Sequence, residues 1–256
     1  MPTVAVAGFN VAPVKSLGLE HPDEIALGPA GVRENRRFFL IQENDRLFRG
    51  AYHGPLVRIR PEYDAGSERL TLHFPDDSAL TADAVGGEPV AGDFWGRAVP
   101  GRVLAPELCE ALSDYAGKPL RIVRAGEDGV GTDSLHPVSI VGDGSVTELG
   151  GRLGDPQLDR RRFRMLVELT GVAPHAEDEW EGSLLRLGEA VVRVGGPVGR
   201  CANTTYDPDT GLRDHDTLRA ILDYRGKIDG EVCFGVYGYV VEPGRVRVGD
   251  PVTPVG

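Results

Sequence analysis

The segment that says most about the fold and the chemistry of this chain is residues 195–211, GGPVGRCANTTYDPDTG. It places Cys201 directly after Arg200, at a bend rich in glycine. A thiolate, not a thiol, is the nucleophile and the metal ligand, and a neighbouring guanidinium stabilises the charged form. The glycines allow the backbone to approach a ligand closely. Cys201 is therefore the candidate for the chemistry.

Two interpretations of Cys201 are open at this point. A free cysteine is often a small, inert core residue, and that role suits Cys109 and Cys233, which lie in apolar helix and strand patterns. The glycines, the arginine and the threonines that follow favour a reactive thiol at Cys201 instead. Residues 207–211, DPDTG, are typical of a turn, and we expect this turn to fix the loop that holds Cys201.

Length and composition are those of an ordinary globular protein with one large domain or two modest ones. The chain has 256 residues, of which 41% are hydrophobic and 26% are charged. With 28 Lys and Arg against 39 Asp and Glu, the net charge is −11, which disfavours binding to nucleic acid or to an anionic membrane. Residues 1–9 lack the pattern of a signal peptide, and no apolar run is long enough to span a bilayer. We therefore expect a soluble, cytoplasmic protein.

The strand pattern predicts a mainly β protein with a few helices. The 35 glycines and 19 prolines are spread along the chain, as in short strands joined by tight turns. Strand-like runs occur at residues 4–11, 37–42, 56–60, 69–74, 120–123, 139–141, 165–169, 190–194, 231–241 and 245–252.

Three helices are predicted. Apolar side chains recur at helical spacing in residues 106–115, and Gly117 follows as a stop. Ser145 and Glu148 have the spacing of a capping box. A third helix is expected to begin near residue 214 or 216 and to end before Gly226. The glycine and proline after the first helix make residues 116 and 117 the candidate domain boundary.

Three basic clusters stand out against the acidic background. They are Lys15 in PVKS, the pair Arg36 and Arg37 before a strand, and the run of residues 160–164, RRRFR. Arginine pairs with phosphate through charge-assisted, bidentate hydrogen bonds. We expect the clusters to form one anion pocket; the alternative is that each is a solvated strand end.

Other common sites are poorly supported by the sequence. The three cysteines form no C-x-x-C pair, so neither a disulfide framework nor a zinc knuckle is indicated. The histidines lie singly, without the H-E-x-x-H spacing of a zinc protease, and G-x-S-x-G is absent. The acidic residues 177–179 before Trp180 indicate a polar loop, with a cation site as the alternative.

An ordered series of motifs resembles the MOSC-domain family, which includes the mitochondrial amidoxime-reducing component and its bacterial relatives. The series covers nearly the whole chain. In order, it comprises residues 13–16 (PVKS), 31–38 (GVRENRRF), Ser145, 162–164 (RFR), 177–180 (EDEW), 199–201 (GRC), 207–211 (DPDTG) and 234–237 (FGVY).

The resemblance implies a fold and a site. Residues 1–116 would form an N-terminal β-barrel-like domain and residues 117–256 a distorted β-barrel MOSC domain, with molybdopterin bound between them. Cys201 would be the direct protein ligand of molybdenum and the catalytic residue. The cofactor contacts map onto Lys15, Ser16, Arg36, Ser145, Arg162, Arg164 and Thr204.

The activity implied by the resemblance is that of a molybdenum-cofactor oxidoreductase reducing N-hydroxylated or N-oxygenated small molecules. Since no cysteine-rich module precedes Gly256, we expect electrons from a separate protein of ferredoxin-like or flavin-reductase-like type. One alternative is a sulfur carrier with a persulfide on Cys201 and no bound metal. Another is a family member that keeps the fold and binds a different anionic ligand or a partner protein.

Three positions depart from the family's usual motifs. Leu166 follows Arg164 and Met165 where an Arg-Pro-Asn sequence is common, so an asparagine contact is missing. Ala51 stands where many members have the first residue of a Gln-Arg pair, and Asn35 replaces an aspartate. The Cys201 loop itself keeps the family pattern.

Overall fold

The computed structural model describes residues 3–126 and 137–255. These residues contain sixteen strands, three α-helices and five short 3-10 segments. The strands are β1 (Ala5–Phe9), β2 (Glu24–Leu27), β3 (Phe38–Ile41), β4 (Arg60–Asp64), β5 (Arg69–His73), β6 (Ala79–Asp83), β7 (Pro89–Phe94), β8 (Arg97–Val103), β9 (Arg121–Ala125), β10 (Val138–Gly142), β11 (Val167–Thr170), β12 (Leu184–Leu187), β13 (Ala190–Gly199), β14 (Cys233–Glu242), β15 (Gly244–Arg247) and β16 (Val252–Val255). The helices are α1 (Pro106–Ala116), α2 (Asp143–Leu153) and α3 (Thr217–Arg225). The 3-10 segments are Gly50–Tyr52, Gly54–Arg58, Arg160–Phe163, Ala176–Trp180 and Ala202–Thr205.

The strands form curled sheets of unequal size. The largest has seven strands in the order β1-β11-β10-β14-β13-β12-β16, and a second has four in the order β3-β9-β8-β7. Smaller sheets are β4-β5-β6 and β15-β2. Pairing is antiparallel except between β10 and β11. The prediction of a mainly β fold with a few helices is confirmed.

Both large sheets cover apolar cores. One core is centred on the seven-stranded sheet and includes Ile140, Val192 and Val236. Another lies in the first half of the chain and includes Phe38 and Leu112. Burial of such side chains stabilises a fold by roughly 25 cal/mol for each Å² of apolar surface removed from water. The cores therefore hold rigid the strand ends that carry the polar residues described below.

The chain crosses between its two halves more than once. Strand β1 pairs with β11, placing Ala5 opposite Thr170, and β2 pairs with β15. In the other direction, β9 pairs with β3 and β8 of the first half. The domain boundary at residues 116 and 117 stays a prediction.

Two segments differ from the strand pattern for local reasons. Residues 56–60 were expected to form one strand, but Gly54–Arg58 is a 3-10 segment with Pro55 in its first turn. Proline fixes φ and lacks an amide, which suits the start of a helix. Residues 245–252 were expected to be one strand, but Gly249, with a φ of 91°, lies in a turn that separates β15 from β16.

The helix ends follow the sequence in two cases out of three. Gly117 ends α1 in a left-handed conformation, and Asp216 caps α3 by accepting from the Arg219 amide at 3.1 Å. The prediction that Ser145 and Glu148 form a capping box is wrong, because α2 already begins at Asp143. The Ser145 hydroxyl instead accepts from the His175 amide at 2.8 Å.

No helix in the part of the chain that the structure describes is both long and apolar enough to cross a membrane.

Candidate functional site

A cleft between the two halves of the chain brings together most of the predicted site residues. Its cavity has a volume of about 240 Å³. Five of the predicted residues line it: Lys15, Ser16, Arg36, Arg164 and Cys201. Their neighbours Arg200 and Asn203 line it as well. Arg162 also belongs to its wall. The thiol thus lies in one cavity with cations from three separate parts of the sequence.

Cys201 is an exposed free thiol at the end of the longest strand pair. It follows β13, where the Arg200 amide donates to the Val232 carbonyl at 2.8 Å, and it precedes the 3-10 segment Ala202–Thr205. The other two cysteines, Cys109 and Cys233, are buried. Only Cys201 among the three is accessible to a ligand in the cleft.

The cations of the cleft crowd one another. Burial, together with the nearby Arg36, lowers the pKa of the Lys15 ammonium to about 7, although Cys201 opposes the shift. Burial is also the main cause that lowers the pKa of Arg164 to about 10, followed by the charge of Arg36. Within residues 3–126 and 137–255, no carboxylate lies at ion-pair distance from Lys15, Arg36 or Arg164. Among the described residues, these positive charges are therefore not balanced by ion pairs.

Arg200 adds a fourth positive charge next to the thiol. Its guanidinium donates to the Phe163 carbonyl and to the Met165 sulfur, the latter at 3.1 Å. Burial lowers its pKa to about 10, and the charge of Arg36 acts in the same direction. Among the described residues, its Nε finds no hydrogen-bond partner and is itself buried.

Arg162 lies in the wall of the cleft but is fully engaged elsewhere. Its side chain is only 1% exposed and forms a bidentate pair with Asp214, at 3.0 and 2.8 Å. It also donates to the carbonyl of Thr204 at 3.1 Å. These contacts hold the backbone after Cys201, so Arg162 positions the loop.

The hydroxyls of Thr204 and Ser16 also form hydrogen bonds within the protein. The Thr204 hydroxyl is 2.7 Å from that of Thr217 and donates to the Cys201 carbonyl at 3.1 Å. Ser16 accepts from the Gly50 amide at 3.2 Å. Ser16 lines the cleft, whereas Thr204 is buried behind it.

Ser145 does not lie in the cleft. It is fully buried in α2, where its hydroxyl donates to the carboxylate of Glu177 at 2.7 Å. Burial raises the pKa of Glu177, against the opposing effect of the Ser145 hydrogen bond. The acidic loop of residues 177–179 thus places one carboxylate in the core. The described residues contain no cluster of three or more potential metal-ligating side chains.

Left-handed backbone conformations concentrate at the cleft. Among the described residues, nine that are not glycine have a positive φ. Four of these nine line the cleft: Ser16, Arg36, Trp95 and Arg164. Such conformations cost about 1 to 3 kcal/mol each and cluster at functional sites. Tertiary structure therefore holds these four side chains in orientations that a relaxed backbone would not give.

The turn of residues 207–211 fixes the Cys201 loop against the first half of the chain. Asp207 accepts from the Thr210 amide at 2.7 Å, and a Cβ on Gly211 would lie 2.6 Å from the Gly54 carbonyl oxygen. The Tyr206 hydroxyl donates to the Ala51 carbonyl at 3.0 Å. The structure agrees with the sequence argument that this turn is a brace for the loop.

The departures from the family motifs have structural roles here. Asn35 accepts from the Ala12 amide at 3.0 Å, which helps to hold the segment that leads to Lys15. Leu166 is 2% exposed and belongs to the core of the large sheet. Ala51 lines the cleft and presents no charge to it.

Several lining residues were not among the predicted cofactor contacts. They are Arg49, Trp95, Ser139, Arg200, Asn203 and Tyr237. Arg200 was noted only as a charge beside the thiol, and Tyr237 only as part of a motif. Trp95 precedes a glycine in a hairpin, which was the available signal for an exposed aromatic residue.

A second cavity of about 210 Å³ adjoins the cleft. Arg162, Arg164 and Asn203 belong to the walls of both. Further cations line it, including Arg58, Arg60 and Arg161. Arg164 therefore stands where the two cavities meet.

The sequence model of the MOSC domain matches residues 127–253. The chain belongs to the MOSC domain family. Residues 199–201, with the exposed thiol, lie inside the matched region, whereas Lys15 and Arg36 come from the segment before it. The cleft of this MOSC protein is thus completed by residues outside the MOSC domain.

Curated relatives extend the similarity over most of the chain. It is 29% identical to mitochondrial amidoxime-reducing component 1 of Mus musculus, over 98% of this chain and 82% of that protein. It is 26% identical to molybdenum cofactor sulfurase of Danio rerio, over 89% of this chain but only 31% of that protein. Among solved structures, the YUAD protein of Bacillus subtilis covers 98% of this chain and is itself 94% covered, with 14% sequence identity and a TM-score of 0.48.

Proposed function

We propose that this MOSC protein is a molybdenum-cofactor oxidoreductase that reduces N-hydroxylated or N-oxygenated small molecules. The observation that carries the proposal is the exposed thiol of Cys201 in a cleft that six cationic side chains line. The similarity to an amidoxime-reducing component over 98% of the chain supports the substrate class.

The residues of the cleft fit such a cofactor in their chemistry. A thiolate is a soft ligand of the kind that binds transition metals, and guanidinium groups bind phosphate in bidentate fashion. Lys15, Arg36 and Arg164 crowd together although like charges repel, and this arrangement becomes favourable when an anion binds between them. Arg200 adds a further positive charge to the lining next to the thiol.

Each group in the cleft then has a defined task. Cys201 would ligate molybdenum, while Lys15, Arg36 and Arg164 would hold the anionic part of the cofactor. Bound molybdopterin supplies a metal that exchanges two electrons with the substrate. Overall, the N–OH compound takes up two electrons and two protons, the N–O bond breaks and water leaves. We assign the supply of electrons to a separate ferredoxin-like or flavin-reductase-like protein.

Arg162, Thr204 and Ser145 have supporting roles in this proposal. Arg162 and Thr204 fix the backbone of the Cys201 loop from behind. Ser145 stabilises the start of α2 through Glu177 and His175. Of the residues first assigned to the cofactor, these three are therefore proposed to act through other residues.

The test is the molybdenum content of protein purified from a host that makes the cofactor. We expect near one molybdenum per wild-type chain and little in Cys201→Ala, with Cys233→Ala as the matched control because Cys233 is buried in β14. Molybdenum that survives Cys201→Ala contradicts the ligand role. Its absence from the wild type, when a known family member loads in the same host, contradicts the oxidoreductase itself.

A sulfur carrier is the second candidate, because an exposed thiol among cations also suits a persulfide. The similarity to part of a molybdenum cofactor sulfurase points the same way. Mass spectrometry of the purified protein, together with its molybdenum content, separates the two. A persulfide on Cys201 without molybdenum favours the carrier, whereas an unmodified thiol with molybdenum favours the reductase.

A further inference from the structure

Trp95 projects from the tip of a hairpin into the mouth of the Cys201 cleft. Strands β7 and β8 are joined by the two residues Trp95 and Gly96, since Phe94 pairs with Arg97. Trp95 is 65% exposed and lines the same cavity as Cys201. A large exposed indole at a cavity offers an apolar face on which a planar group of a ligand can stack.

The backbone of this tip is strained. Trp95 has a φ of 54° and Gly96 a φ of 87°. Two-residue hairpin loops with two positive φ values strongly favour Asn or Asp before Gly, and a bulky residue in this region costs about 1 to 2 kcal/mol. The position therefore carries a side chain that turn stability alone disfavours.

The tip is nevertheless held firmly. The Asp93 carboxylate accepts from the Gly96 amide at 2.6 Å, and the Asp93 carbonyl accepts from the Leu47 amide at 3.0 Å. Asp93 also donates its amide to the Asp45 carbonyl at 2.9 Å. Because the hairpin is tied to the loop that supplies Leu47 and Phe48 to the cleft, the backbone that carries Trp95 has a fixed place beside the cleft.

The lining near this loop differs from the cationic part of the cleft. Leu47, Phe48 and Ala51 are apolar and largely buried. With the indole, they form a mainly apolar and aromatic wall in which Arg49 is a charged member, whereas Lys15, Arg36 and Arg164 form a cationic one. A ligand that uses both walls has an apolar, flat part and a polar, reacting part.

We propose that Trp95 is a specificity-determining residue that stacks on a planar aromatic ring of the substrate. The ring would rest against the indole and the Leu47–Phe48 wall, with the N–OH group toward Cys201. This inference rests on the proposed reductase function and narrows its substrates to N-hydroxylated compounds that carry an aryl or heteroaryl ring.

The first test compares two amidoximes that differ in the ring, benzamidoxime and acetamidoxime. Because a stacked aromatic pair contributes modestly to binding, Trp95→Ala is expected to raise KM for benzamidoxime by roughly two- to tenfold. We expect kcat, molybdenum content and the KM for acetamidoxime to change less than about twofold. Trp95→Phe should keep the KM for benzamidoxime close to the wild-type value, because the phenyl ring can still stack. Tyr52→Ala is the matched control, because Tyr52 is an equally exposed aromatic residue outside the cleft lining.

The second test measures binding without turnover, so its result does not depend on whether the proposed reductase function is correct. The chain has two tryptophans, and Trp180→Phe leaves Trp95 as the only indole emitter. Benzamidoxime is expected to quench its fluorescence at concentrations where acetamidoxime does not, in the Cys201→Ala background as well. Equal quenching by both compounds, or none by either, overturns the assignment.

Another outcome identifies a different role for the indole. Trp95→Ala could lower turnover of both amidoximes equally with a protein electron donor, and leave turnover with a small chemical reductant unchanged. That result overturns substrate stacking and assigns Trp95 to donor docking. A uniform loss of stability in Trp95→Ala is checked with Trp95→Gly, which removes the indole and also relieves the left-handed strain.

Discussion

The arginines of residues 160–164 and the cations of the cleft form two regions that touch at Arg164. Arg160 pairs with Glu168, Arg161 with Asp159 and Asp209, and Arg162 with Asp214. Arg164 has no such carboxylate within the described residues and faces the cleft. The four arginines of this run thus fall into two groups: three have a carboxylate partner among the described residues, and Arg164 does not. Compensated charges build the loop, and an uncompensated one is left for a ligand.

The difference between these regions is a difference in what stabilises them. Each paired arginine makes contacts that exist in the folded protein alone. Lys15, Arg36 and Arg164 instead place like charges near one another in a partly buried cleft, where desolvation and repulsion both act against them. Such sites commonly reduce stability in return for binding. Replacing a residue should therefore have opposite effects in the two regions.

The largest expected effect separates Arg162 from Arg164. Arg162→Met should lower the free energy of unfolding by about 3 kcal/mol, because it leaves Asp214 without its partner and removes a buried donor to Thr204. The same substitution at Arg164 should leave the stability of the cofactor-free protein unchanged or raise it. Urea unfolding of both variants measures this contrast. Equal losses at the two positions would break the comparison.

Lys15 gives the next largest effect and a characteristic pH dependence. Its pKa is lowered from 10.5 to about 7 in the folded protein, so the folded state binds fewer protons than the unfolded state between these values. Stability from this group therefore rises with pH across that window, and the penalty is greatest below pH 7. Lys15→Met should therefore be more stable than wild type at neutral pH, because it removes the buried amine whose charge is disfavoured.

The pH profile of the difference between the two proteins is the decisive measurement. The advantage of Lys15→Met should shrink as the pH rises from 7 toward 10, because wild type then loses its buried charge. A difference that stays constant over this range would show that Lys15 keeps an ordinary pKa. Arg161→Ala, which does not titrate in this range, serves as the control.

The smallest expected effect concerns Arg161. Its pairs with Asp159 and Asp209 are partly exposed to solvent, and such pairs contribute less than about 1 kcal/mol. Arg161→Ala should therefore change the urea midpoint only slightly and leave the molybdenum content intact. A loss as large as that of Arg162→Met would show that the loop depends on the whole arginine run instead of one buried pair.

The sequence was a good guide where local rules decide the structure. The spacing of Leu108 and Leu112, with Gly117 as a stop, predicted α1 to within one residue. The start of α3 near residue 216 and the brace at residues 207–211 were also correct. These features depend on contacts between residues that are close along the chain.

The sequence failed where distant contacts decide. Ser145 has capping-box spacing, but Glu177 and His175 draw its hydroxyl elsewhere, and both lie at least thirty residues further along the chain. Nothing local distinguishes Arg162 from Arg164, because the distinction comes from Asp214. Of the three strands in the sheet β4-β5-β6, only β5 was predicted; β4 and β6 were missed, since their charged, exposed residues weaken the apolar alternation.

The pairing of β1 with β11 has a consequence for how the protein is made. Residues 5–9 leave the ribosome early, yet Ala5 cannot meet Thr170 until synthesis has continued for roughly ten to thirty seconds more. During that wait β1 is an unpaired edge, and Lys15 has no cleft to face. Asn10, which donates to the Met165 carbonyl, then joins the two ends. The candidate site is therefore among the last parts to assemble, and a nascent chain cannot form the cleft before translation has passed the Cys201 loop.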